Sequence, residues 1–78
     1  MDYEKIREAR LRHPFRPFFV KTTDGKVYFI REEVHLAVTR FTVAFYDEGQ
    51  DEHVILQPGD VEAIIYPDQS VGAATDGR

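Results

Sequence analysis

The stretch FFVKTTDGKVYFI, residues 18–30, decides how this chain folds. Two runs rich in aromatic and β-branched residues flank Asp24-Gly25, a dipeptide that supplies the positive φ angles of a two-residue type I′ turn. The pattern predicts a hairpin of strands over 18–23 and 26–31, with Asp24 and Gly25 as its structural turn. In the second run Val27 and Phe29 share one face and Tyr28 and Ile30 the other, so both faces offer apolar surface to protein.

Upstream, the segment HPFRPFFV (13–20) hands a helix over to this hairpin. Residues 2–12 hold good helix formers without Gly or Pro, and Asp2 is placed to cap the start. Tyr3, Ile6 and Ala9 or Arg10 recur at helical spacing and give a narrow apolar stripe. So short a helix is marginal alone and must dock on something. Pro14 ends it, and Pro17 opens the first strand where a missing amide donor matters least. Phe15 and Phe18 or Phe19 are expected to plug the barrel mouth.

Downstream, 32–35 interrupt the pattern and 36–39 read as an irregular crossing or a short strand. RFTVAFYD (40–47) then alternates, with Phe41, Val43 and Phe45 on one face and Thr42, Ala44 and Tyr46 on the other. A charged turn leads to a strand over 53–57, Pro58 and Gly59 form a structural turn, and a last strand covers 61–66. The tail 67–78, small and polar, is expected to be a flexible extension. The sum is one α+β domain over 1–66, mainly β. An N-terminal helix precedes a five-stranded, strongly bent antiparallel sheet or small barrel.

Composition narrows the function. Seventy-eight residues without cysteine or tryptophan make a small core with no disulfide or zinc-thiolate support, so assembly with copies of itself, through strand edges or the N-terminal helix, is the expected extra support. The charged N-terminus and the lack of a long apolar stretch suggest a cytoplasmic protein with no membrane partner. Net charge is −4 and unevenly spread. Residues 1–16 are basic on balance, whereas 43–78 carry eight acids against Arg78 alone. That acidic half disfavours nucleic acid.

Residue constellations add little chemistry. Pro14 and Pro17 have the spacing of a polyproline ligand but sit between a helix and a phenylalanine-rich strand. Glu32 lies three before His35, a metal-ligand spacing if that segment is helical, but Val34, Leu36 and Val38 suggest an extended chain in which Glu33 and His35 share a face. The lone serine, Ser70, lies in the predicted tail, and no phosphate-binding or nucleotide fingerprint occurs. No catalytic residue, metal ligand or cofactor is therefore predicted, and the protein is expected not to be an enzyme. The basic-aromatic cluster Arg10, Arg12, His13, Phe15 and Arg16 is the candidate interaction or RNA-contact surface.

The element order, together with FFVKTTDGKVYFI and LQPGDVEAI (56–64), resembles the Sm-like (SH3-like) small β-barrel. The PFRPF segment followed by a DG hairpin also looks like a set of short uncharacterised bacterial proteins. The Sm-like resemblance implies ring assembly through strand edges and, in its RNA-gripping members, single-stranded RNA binding. Carried over residue by residue, only Gly25 and Gly59 match, and both are structural; the chain has no asparagine, and Pro58 precedes Gly59 where an RNA-gripping member places a basic residue beside the glycine. The leading expectation is a non-enzymatic protein-interaction or self-assembly module, the alternative an Sm-like RNA binder.

Overall fold

The computed structural model describes residues 1–67. The expectation of a flexible tail thus falls, from residue 68 on, outside the described residues. The fold is α+β: one helix and two three-stranded antiparallel sheets that do not close on each other.

Helix α1 (Tyr3–Leu11) starts where expected: Asp2 is extended, and its carboxylate accepts the Glu4 amide at 3.3 Å. Its buried residues are Ile6 and Ala9, which pack with α1 against β3 and a 3-10 turn described below. The His13–Pro14 peptide is cis.

The first sheet has the order β2-β1-β6, built from β1 (Phe18–Thr22), β2 (Val27–Ile30) and β6 (Val61–Ile65). Its hairpin exists, but with a different turn. Thr22 and Lys26 close the ladder, the Thr22 amide donating to the Lys26 carbonyl at 2.8 Å, so the loop holds three residues, Thr23, Asp24 and Gly25. Gly25 alone among them has a positive φ, +91°, whereas a type I′ turn needs two such residues. The Thr22 side chain explains the preference. Its buried hydroxyl donates to Asp24 and accepts the Lys26 amide at 3.1 Å, which holds Asp24 in the loop as an acceptor.

The second sheet has the order β3-β4-β5: β3 (Leu36–Val38), β4 (Val43–Asp47) and β5 (Glu52–Leu56). Of the two readings of 36–39 the short strand holds, at 36–38, which makes six strands in place of five. The reading of 40–47 changes: Arg40-Phe41 form a hairpin tip instead of the start of a strand. The Thr39 hydroxyl accepts the Phe41 and Thr42 amides at 3.2 and 3.0 Å, and the Thr39 amide donates to the Thr42 carbonyl. Phe41, expected on the core face, therefore stands 76% exposed at a turn.

The strand alternation otherwise holds. Val43 and Phe45 face inward with Phe18, Val20, Ile30, Leu36 and Val61, together with Ile6 and Ala9 of the helix, to make the core. Burying each large side chain contributes about 1.5–3 kcal/mol. Because the sheets do not close there is no barrel mouth to plug; Phe18 is instead fully buried in the core, with Phe15 tilted against it at 5.7 Å, while Phe19 lies on the outer face. Two 3-10 turns complete the chain. Glu33–His35 joins β2 to β3, where the sequence suggests an extended run, and Pro58–Asp60 precedes β6. The second turn gathers distant partners: the Met1 amino group donates to the Pro58 and Val61 carbonyls at 2.9 and 2.7 Å, and the Thr23 amide donates to the Asp60 carbonyl.

Candidate interaction surface

The basic-aromatic cluster divides once folded. Arg10 turns back onto its own domain, where its Nε donates to the Leu36 carbonyl and Nη1 lies 3.9 Å from Glu33. It fastens α1 to β3. Phe15 is half-buried against Phe18, and His13 is exposed. Arg12 and Arg16 converge on Tyr66, their guanidinium carbons 5.1 and 5.2 Å from its ring centroid. Both cations thus engage one π-face system, at about 0.5–1 kcal/mol each where exposed. Tyr66 also meets Phe18 edge-on at 5.8 Å. A shallow groove of about 340 Å³ runs beside it, lined by Lys5, Glu8, Ala9, Arg12, Ile64 and Tyr66 with Met1.

A second surface was not assigned from sequence as a whole. Across the outer face of the first sheet, Phe29 pairs with Phe19 and Phe19 with Ile65, so one complete row of three strands is apolar. The Phe19 and Phe29 rings lie 4.9 Å apart. The neighbouring row places Val27, Lys21 and Ala63 side by side. Val27 is 55% and Phe29 42% exposed, and as neighbours two apart on one strand they make the apolar surface contiguous. The apolar character of both faces of VYFI was the signal for half of this patch; the contribution of Ile65 needed the β1–β6 register. Lys21 and Glu62 form an ion pair at 3.2 Å on its border.

Charged and polar groups elsewhere bear on stability more than on recognition. The Thr22 hydroxyl, and secondarily the Lys26 amide and charge, hold the Asp24 carboxyl below its ordinary value of 3.8. Tyr46 donates to Asp51 at 2.5 Å; this bond, then partial desolvation and the carboxylates of Asp51, Glu48 and Asp47, push the phenol above its ordinary 10.0. His35 meets the Tyr46 ring edge-on and His53 meets it tilted, each with centroids 5.6 Å apart. Among the described residues no helix is long and apolar enough to cross a membrane. Neither a protein-family model nor a curated protein nor a solved structure matches the chain.

Proposed function

We propose that this is a non-enzymatic interaction module that assembles with copies of itself through the outer face of the first sheet. The observation that carries the reading is the apolar row Phe29–Phe19–Ile65 with Val27 beside it, left facing outward while a small core could have used those side chains. The bordering Lys21 and Glu62, opposite in sign, suit an isologous contact in which each patch meets its own copy. The helix is the weaker route to assembly, because its apolar stripe is already buried at home. The strand orders, with β2 passing through a single 3-10 turn into β3, support the finer reading of a small Sm-like or SH3-like barrel.

RNA binding ranks behind self-assembly. Stacking on unpaired bases asks for a free ring, and the ring beside Arg12 and Arg16 carries both guanidiniums. Light scattering after size exclusion, over a range of concentrations and with absorbance at 260 and 280 nm recorded, tests the proposal. The expected result is a nucleic-acid-free oligomer that Phe29→Asp or Val27→Asp converts into a folded monomer. A concentration-independent monomer for the unaltered chain refutes it, and a peak carrying nucleic acid transfers the reading to the RNA alternative.

A further inference from the structure

We propose that Glu32, His35 and Glu48 form a binding site for a divalent transition-metal ion of the zinc type. The three donors come from two separated places in the chain. Glu32 is the extended residue that caps the 3-10 turn Glu33–His35, its carbonyl accepting the His35 amide at 3.0 Å, so Glu32 and His35 bracket one tight turn. Glu48 arrives from the loop between β4 and β5. One donor atom from each residue lies within 4.8 Å of the other two.

The geometry is close to what an ion requires. Nδ1 of His35 is 3.8 Å from Oε1 of Glu48. Two donors bonded at about 2.1 Å to a tetrahedral ion stand roughly 3.4 Å apart, so a shift of a few tenths of an ångström suffices for this pair. The imidazole is already oriented: its side chain is 25% exposed and its ring rests on Tyr46 at an interplanar angle of 75°. One nitrogen and two carboxylate donors favour zinc-like ions over magnesium or calcium, which take oxygen donors. Three protein donors leave a further position for water or for a donor from another molecule. Arg31 is the built-in competitor, its Nε 3.6 Å from the same Glu48 oxygen.

The test is titration of the full chain with zinc chloride in a calorimeter, with cobalt(II) absorption as a spectroscopic reporter. One ion per chain is expected, with a dissociation constant on the order of micromolar. His35→Ala should abolish binding, and Glu48→Gln, which preserves side-chain shape, should weaken it by about tenfold or more. Arg31→Met should tighten it by freeing Glu48, while His53→Ala, on the other side of Tyr46, should leave it within about twofold. No heat and no cobalt spectrum at about 1 mM metal would overturn the proposal. So would undiminished binding in a folded His35→Ala chain, which would place the ion elsewhere. If circular dichroism shows that this variant fails to fold, undiminished binding by Glu48→Gln has the same force.

Discussion

The same substitution should have opposite effects at two glycines. Gly25 sits at φ +91° with open space where a side chain would go, so Gly25→Ala meets conformational strain and no steric clash. Gly59 also has open space but lies outside the left-handed region, within the 3-10 turn Pro58–Asp60. An L-residue held at positive φ costs about 1–2 kcal/mol, while replacing glycine by alanine restricts the unfolded chain and returns about 0.4–1 kcal/mol. Gly25→Ala should therefore destabilise by about 1 kcal/mol net, and Gly59→Ala should stabilise by about 0.5 kcal/mol. For a domain of this size, 1 kcal/mol moves the thermal midpoint by about 4–8 °C. Thermal and urea unfolding followed by circular dichroism would show a lower midpoint for the first variant and a slightly higher one for the second, with equal urea slopes. A Gly25→Ala protein at least as stable as the parent would refute the three-residue loop, since a loop without a left-handed residue carries no such penalty.

Two further predictions rest on the second sheet. Val43 is fully buried, so Val43→Asp places an unpaired carboxylate in the core and should unfold the domain, seen as loss of circular dichroism and of dispersed NMR signals; Tyr46→Asp, on the outer face, should leave a folded protein, and equal damage from both would reject the assignment of faces. The raised Tyr46 phenol gives a signed pH dependence: the folded state favours the protonated form, so its contribution is fully present below 10.0 and is lost as pH rises through the higher folded value. Ring NMR should show Tyr46 titrating above 10.0, and Asp51→Gly, which removes both the acceptor and a charge, should lower that midpoint. An unmoved midpoint would show that Asp51 is not the cause.

Much of the fold was legible because it rests on local signals. Asp2 marked the helix start, the 3.6-residue recurrence of Ile6 and Ala9 marked its buried stripe, and alternation marked Val43 and Phe45 as core. The misreadings share a different cause: side chains that bond to nearby backbone. Thr22 converts an Asp-Gly signal into a three-residue loop, and Thr39 builds a turn without Gly, Asn or Pro, so counting by twos ran straight through it to Phe41. The 3-10 turn at Glu33–His35 escaped because Val34, read as part of an apolar alternation, is in fact 81% exposed. The candidate surfaces were less legible still. Arg12 and Arg16 were visible, but Tyr66 reaches them, and Ile65 reaches Phe19, through pairing between the two ends of the described chain. Glu48 approaches His35 only once β3 pairs with β4, which sets Leu36 opposite Phe45 and so brings the ends of the two strands together.

The pairing of β1 with both β2 and β6 also dictates an order of events during synthesis. β1 meets β2 through a short loop soon after both have left the ribosome, whereas β6 is made last of the described strands. Until it arrives, one side of β1 is an open template whose inward residues, Phe18 and Val20, have only part of their cover. Any nascent or prematurely ended chain lacking residues 61–65 is consequently prone to pair with the wrong strand, and chaperone demand should peak in that interval.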